Sequence, residues 1–321
     1  MRWTRPTARD ALALAVAAPW LAWTAVRSLG VEPAAPLTGA LALTPLVAAT
    51  SWFPLAIALA LRRWAVAAIV ALAVAALAAA VAPRALGGPQ AALTNGRTLS
   101  LMTVNLRYGH GDPATVLRLA REHDVDVLSL QELTPAAARR IDAAGARARY
   151  PYRVLEARPG AHGSGLLSRL PLRDVREPRN TPHAMPQAHV AVPGAGTVLV
   201  KCVHTIPPLG DDVPRWRNEL SALPHATAGG QLRILIGDFN ATLDHHELRT
   251  LIASGYRDAA DVVGIGLTGT FRAGTRLPIR IAIDHILADQ RARVTAASVE
   301  SVPGSDHRAL LTRLSLPAAG D

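Results

Sequence analysis

Asn105, Glu132, His204, Asp238 with Asn240, Asp284, and Asp306 with His307 each stand at the end of a short apolar run. One such residue is ordinary. A full set, each behind a strand-like run, is the pattern of a single site at one rim of a sheet. The residue types suit metal-assisted attack of water on a phosphate ester. A hard divalent cation takes oxygen ligands and keeps several waters, so one or two carboxylates suffice to hold it. Glu132 is the best single ligand, helped by Asn105 or Asp306. Mg2+ fits these donors, with Mn2+ as the alternative. A pairing of Asp284 with His307 would fix the imidazole tautomer and raise its basicity. Cys202 is the single cysteine and no His-x-x-x-His pattern occurs. An intramolecular disulfide and a Cys-based zinc cage are therefore excluded, and any zinc site is disfavoured.

The stretch 232–240, LRILIGDFN, organises the rest. Ile234, Leu235 and Ile236 form an apolar run that fits a buried strand. Gly237 ends it. Asp238 and Asn240 are two apart and point the same way if strand geometry persists. The bland reading is a strand ending in a turn, because Gly, Asp and Asn are turn formers. Other polar residues carry weaker signals. His245 and His246 begin an amphipathic helix and read as solvated. His162 and His183 fall in loops from which they could reach a substrate. Cys202 reads as a small core residue. Arg107, Arg276 and Arg280 fit phosphate contacts or surface charges equally well.

The elements that must position these groups occupy the C-terminal two-thirds. Residues 99–105, 125–132, 165–172, 197–205, 232–238, 280–287 and 292–300 read as strands, and SDHRALLTRLSL closes the domain. Asp112-Pro113 starts a helix that runs to about His123, with Asp as N-cap and Pro at the first helical position. Thr134-Pro135 starts another, residues 216–223 form a short one, and Asp244 caps one over 245–254. The stretch Asn180 to Gln187 reads as an irregular loop. Mixed strands and helices in similar amounts place the domain in the α/β (α+β) class.

The N-terminal third is different. Three apolar segments, Ala11–Val26, Pro36–Leu61 and Trp64–Ala82, contain no charged side chain. A bilayer span needs roughly 20 apolar residues, so the first is slightly short and the second long. A buried helical core is the competing reading. A cleaved signal peptide would account for the first segment alone. Arginine placement orients the spans. The tail with Arg2, Arg5 and Arg9 stays in the cytoplasm, the Arg62-Arg63 turn is also inside, and residue 84 onward emerges outside. The expected organisation is a membrane anchor over 1–83 with about three transmembrane helices, a linker over 84–97 and a catalytic domain over 98–321. The spans carry little polar content and offer no transport path. Of the 321 residues half are hydrophobic, the net charge is +10, and Lys201 is the one lysine. An Ala-, Arg-, Gly-, Pro- and Val-rich chain is typical of a GC-rich genome. The basic balance therefore says little about nucleic acid, although it suits any polyanionic substrate.

TVN with Asn105, SLQE with Glu132, GSGLLSRLP up to Pro171, VH with His204, GDFN, IDHIL with Asp284 and SDH with Asp306 and His307 occur in the order of one superfamily. Over about residues 98–316 the chain resembles the endonuclease/exonuclease/phosphatase superfamily, on its deoxyribonuclease I and sphingomyelinase-like branch. The resemblance implies a four-layer sandwich of two β-sheets flanked by helices, and Mg2+-dependent phosphoester hydrolysis. Glu132 resembles the metal-binding glutamate, and Asn105 the asparagine that supports metal or phosphate. Asp238 and Asn240 resemble the pair that orients the attacking water and the scissile phosphate. His307 is similar to the catalytic histidine held by Asp284, and Asp306 to the adjacent metal or structural aspartate. His204 stands where AP endonucleases typically have tyrosine, which argues against abasic-site repair. It is expected to face the leaving oxygen, protonating or hydrogen-bonding it. The expected function is a phosphodiesterase, nuclease-like, anchored in the cell membrane with its catalytic domain extracytoplasmic. Its partners are then a nucleic acid or phospholipid headgroup and the bilayer, with no protein partner indicated. The alternatives are phospholipase C-like or lipid/inositol phosphatase activity, and a catalytically silent binding protein on the same fold.

Overall fold

The structure is a computed structural model that describes residues 7–175, 181–227, 229–273 and 279–319. Arg2, Arg5, Asn180 and Arg276 lie outside the described residues. In chain order the strands are β1 Arg97–Asn105, β2 Val127–Gln131, β3 Tyr152–Glu156, β4 Ser164–Ser168, β5 Leu172–Asp174, β6 Gln187–Val192 and β7 Gly196–His204. There follow β8 Arg233–Asp238, β9 Tyr256–Asp258, β10 Phe271–Ala273, β11 Ile279–Ile281, β12 Asp284–Asp289, β13 Arg293–Ser301 and β14 Arg308–Leu316.

The strands make two six-stranded sheets, ordered β13-β14-β1-β2-β4-β3 and β5-β6-β7-β8-β12-β9, and β10 and β11 form a separate hairpin. Each sheet is mixed, with one parallel pair, β1 with β2 and β7 with β8. Side chains alternate between the two faces of a strand. Leu99 and Leu101 of β1 and Ile234 and Ile236 of β8 point into the core between the sheets. Met102 and Val104 turn outward onto the helices Pro113–Glu122 and Pro135–Ala143. Leu235 turns outward onto the helices Val213–Ser221 and His246–Ala253. The fold is thus helix, sheet, sheet, helix, an α/β sandwich. The apolar run at 234–236 is buried because both of its faces are covered.

Several local expectations are corrected. The stretch 165–172 divides into the end of β4 and the start of β5, because the chain changes sheets at Pro171. The stretch 280–287 divides likewise between the hairpin and β12. Strands β3, β6, β9 and β10 were not expected. Each is five or six residues or fewer and lies toward a sheet edge, where alternation is weak.

At the N-terminus two helices, Ala8–Ser28 and Trp64–Val81, are long and apolar enough to cross a membrane. The middle segment is not one straight span. It breaks into Leu37–Thr50 and Trp52–Ala60, bent by 43°. Pro54 explains the break: its nitrogen has no proton for the Thr50 carbonyl, and its ring crowds that carbonyl. Helices 8–28 and 64–81 run in the same direction. Asp10 lies 3.4 Å from Arg63 at their starting ends, and Arg27 and Arg84 meet one carboxylate, that of Asp244, at their finishing ends. The stretch expected as a linker is packed against the sandwich. Gly88 N–H donates to the Val262 carbonyl at 2.9 Å and Gln90 N–H to the Val294 carbonyl at 2.8 Å.

Candidate functional site

Strand register brings the polar strand ends together. In the first sheet, β1 and β2 are parallel with Asn105 opposite Gln131, so Asn105 and Glu132 emerge side by side. In the second, Asp238 is opposite both His204 on β7 and Asp284 on β12. The amide of Asn105 joins the two sheets. Its Nδ2 donates to Glu132 Oε1 at 3.1 Å and to Asp238 Oδ2 at 3.0 Å. His307 donates from Nδ1 to Asp284 Oδ2 at 2.8 Å, which turns its Nε2 toward Asp238 Oδ2, 3.8 Å away. His204 Nε2 approaches the same Asp238 oxygen at 4.0 Å.

The electrostatics follow from burial and crowding. Asp238 is pushed up to about 7, by burial first and then by the neighbouring Asp284 charge. Burial alone would lower His307, but Asp284 and Asp238 outweigh it and raise the imidazole to about 9. Asp284 and Asp238 thus favour the protonated imidazole, while burial and the Asp284 charge favour the protonated carboxyl of Asp238, so the three groups share protons as one unit. His204 goes the other way. Complete burial, reinforced by His183 and His307, drives it well below the ordinary imidazole value. A lowered basicity favours the neutral ring, which suits a hydrogen bond to a leaving oxygen better than its protonation.

Asn240 departs from the strand-based expectation. Its backbone is left-handed, φ 46°, so Asp238 and Asn240 do not continue one strand face. Instead Asn240 N–H donates to Asp238 Oδ1 at 2.9 Å and its Nδ2 to the Thr205 carbonyl at 2.8 Å. Arg107, Tyr108 and Glu132 also have positive φ, so four of the non-glycine residues in this sparsely populated region surround the site. Such strain persists only where the surroundings over-determine it. Gly237 is obligatory: at φ 151° a Cβ would stand 2.0 Å from the Val203 carbonyl oxygen.

Asp306 lies apart from the buried cluster, about a third exposed, with Arg107 Nε at 3.5 Å from its carboxylate. Sequence reasoning missed the groups that hold the cluster in place. Thr270 Oγ1 accepts from the Ile283 and Asp284 amides, and Ser305 Oγ accepts from the His307 amide while donating to the Asn105 carbonyl. His183 stacks on His204 with ring centres 4.1 Å apart, and His162 lies 5.4 Å beyond it. Cys202 is a buried core residue whose sulfur accepts from Gln131 Nε2. The reading of His245 as solvated is wrong. It is 2% exposed, with Nδ1 accepting from the Thr242 amide and Nε2 against the Thr38 carbonyl of the N-terminal segment. Nor does Asp244 cap the helix that follows, because two arginines occupy its carboxylate. His246 is exposed, as expected, and so is Arg280 on the hairpin.

Two groupings could hold a cation. Among the described residues, Asp238, Asp284 and His307 have ligand atoms within 4.8 Å of one another. Asp284 Oδ1 is buried without a partner, as a ligand oxygen would be. A cation there would have to displace the proton that Asp284 and Asp238 favour on His307, because only the neutral ring has a lone pair to give. The second grouping is Glu132 and Asn105, which offer side-chain oxygens on the rim beside this cluster. The donor set as a whole is oxygen-rich and fits a hard divalent cation.

A model of the Endonuclease/Exonuclease/phosphatase family matches residues 102–307, more than half of the chain. The chain belongs to this family. The family segment runs from β1 to His307 and so contains every rim residue described above. Among solved structures the chain is similar to D. rerio TDP2 complexed with single strand DNA product, with a TM-score of 0.52 and 15% identity over 68% of this chain and 98% of that one. It is also similar to an AP endonuclease from Archaeoglobus fulgidus, with a TM-score of 0.52 and 14% identity over 67% of this chain and 98% of that one. An endonuclease/exonuclease/phosphatase from Beutenbergia cavernae gives a TM-score of 0.51 and 21% identity over 70% and 72%. At such identities the likeness shows the family fold. No curated protein matches the chain.

Proposed function

We propose that this chain is a membrane-anchored, divalent-metal-dependent phosphodiesterase whose catalytic domain faces the extracytoplasmic side. The observation that carries the reading is the Asn105 amide, which ties Glu132 to Asp238 beside the Asp284–His307 pair. Glu132, Asn105 and Asp306 would hold Mg2+ or Mn2+. Bound there, the cation would supply charge neutralisation at the phosphate and at the departing oxygen. Asp238, raised toward neutrality, accepts a proton from the attacking water that Asn240 helps to orient. The His307 imidazolium, held by Asp284, hydrogen-bonds a phosphate oxygen as charge builds on it. Water's oxygen bonds to phosphorus as the bond from phosphorus to the ester oxygen breaks. That oxygen leaves with a hydrogen bond from His204 and takes its proton from solvent, and Asp238 later returns the water's proton to solvent.

Among diesters, the first reading is nucleic acid, on the likeness to D. rerio TDP2 complexed with single strand DNA product. A second reading, action on a lipid headgroup diester, is favoured by the packing of the hairpin beside the site. Arg280 and Ile281 share a cleft of about 90 Å³ with Leu43 and Leu46 of the bent membrane segment, and Phe271 of the same hairpin lies 4.7 Å from the His307 ring. The test is the full chain in detergent with Mg2+ or Mn2+, offered plasmid DNA, a bis-phosphodiester and phospholipid vesicles. Turnover of the bis-phosphodiester and DNA supports the first reading, turnover of the vesicles the second, and inactivity on all three contradicts both.

A further inference from the structure

Asp244 stands four residues beyond Asn240, and its side chain is wholly buried although the reaction gives it no task. Its carboxylate is held from two distant places. Arg84, just past the helix 64–81, donates from Nη1 and Nη2 at 2.8 and 2.6 Å, and Arg27, in the last turn of the helix 8–28, donates from Nε at 2.6 Å. The neighbouring residues are satisfied from the same source. Glu32, in the connection after the first helix, accepts from the His246 amide at 2.6 Å and so caps the helix 246–253. The Thr38 carbonyl lies 2.9 Å from His245 Nε2, and Arg249 reaches back to the Arg27 carbonyl at 2.9 Å.

The loop from Asp238 to His246 therefore has a catalytic end and an anchor-held end. Between them sits Asn240 in a left-handed conformation, φ 46°, which its hydrogen bonds to Asp238 Oδ1 and the Thr205 carbonyl hold in place. Two guanidinium groups on one buried carboxylate fix both its position and its charge, and the bidentate contact of Arg84 also fixes its direction.

We propose that Arg27, Arg84 and Asp244 are positioning residues through which the ends of two membrane helices hold the 238–246 loop, and with it Asn240, in its working geometry. The anchor is then part of the active site and not a tether. The inference rests on the reading of Asn240 given above. A fragment beginning near residue 90 lacks Arg27, Glu32 and Arg84, and should retain the sandwich but lose the ordered loop.

The test uses the full chain in detergent. The first readout needs no activity: amide hydrogen exchange across 238–247 in wild type, Arg84→Ala and Arg84→Lys. Arg84→Ala should exchange about tenfold faster or more in this loop, Arg84→Lys less so, with β1 and β14 unchanged. Unchanged loop protection overturns the proposal. So does a loss of protection spread evenly over the sandwich in both variants, which would make the clamp a general stabiliser. The second readout is a double-mutant cycle on kcat for the bis-phosphodiester. Asp244→Asn should cost about tenfold in the wild-type background and almost nothing beside Asn240→Ala, because the two act as a unit. Additive losses contradict action through Asn240. If the wild-type protein hydrolyses no diester, the proposed function fails while the exchange data still decide the positioning role.

Discussion

Replacing Arg84 by methionine removes two hydrogen bonds to Asp244, a third to the Ala80 carbonyl, and one of the two positive charges on Asp244, while keeping most of the packing volume. Breaking a buried ion pair costs about 3–5 kcal/mol, because the remaining charge stays buried without its partner. Arg27 remains 2.6 Å from the carboxylate, so the lower end, about 3 kcal/mol, is expected. For a domain of this size that corresponds to a fall in Tm of roughly 6–12 °C. The control is Arg118→Met. Arg118 and Glu122 form an i,i+4 pair with both side chains about half exposed, and such pairs contribute only about 0.3–0.5 kcal/mol. The assay is thermal unfolding of the full chain in detergent at a fixed scan rate, followed by near-UV circular dichroism. The pH dependence has a defined sign. Burial by itself would raise Asp244, but the hydrogen bonds and charges of Arg84 and Arg27 outweigh it and hold the carboxyl below 3.8. A depressed carboxylate stabilises fully above its unfolded value and loses that contribution as pH falls through its folded value. The gap between wild type and Arg84→Met should therefore be constant from pH 6 to 8 and close only in acid, at or below about pH 4. A shift for Arg84→Met no larger than that for Arg118→Met would refute the reasoning.

Three further outcomes are expected. Glu132→Gln keeps shape and removes charge, so activity at fixed metal concentration should fall about a hundredfold or more; near-normal turnover and metal dependence would remove Glu132 from the site. Gly237→Ala should destabilise by about 2–3 kcal/mol, since its Cβ would meet the Val203 carbonyl oxygen at 2.0 Å; a change under about 0.5 kcal/mol in denaturant unfolding would show that the strand yields there. His204→Gln preserves an uncharged hydrogen-bonding group, so rates on alkyl and nitrophenyl diesters should stay within about tenfold of wild type. A loss confined to the alkyl diester would restore proton donation by His204.

The sandwich was legible where strands are buried on both faces. Ile234, Leu235 and Ile236 announce β8, and the polar residue behind each such run marks the rim of the site. The pairing of Asp284 with His307 was legible from ordered motifs alone. What stayed hidden depends on partners far away in the chain. Asp244 looks locally like a helix cap, and its true partners lie 160 and 217 residues away. His245 looks like a solvated first-turn residue because nothing nearby in sequence reveals that Thr38 covers it. Thr270 and Ser305 act through hydroxyls that leave no pattern in an otherwise irregular loop. The lowered basicity of His204 is a consequence of burial, reinforced by His183, which sequence places in a separate loop.

The central claim is that the rim cluster hydrolyses phosphodiesters with a divalent cation. Its most direct test is turnover of bis-p-nitrophenyl phosphate by the full chain in detergent, after chelation and after readdition of Mg2+ or Mn2+, for wild type and Asp238→Asn. The account predicts activity that disappears on chelation, returns with either cation, and falls about a hundredfold or more in Asp238→Asn while the fold is retained. Activity indifferent to chelation, or equal in wild type and Asp238→Asn, would contradict it.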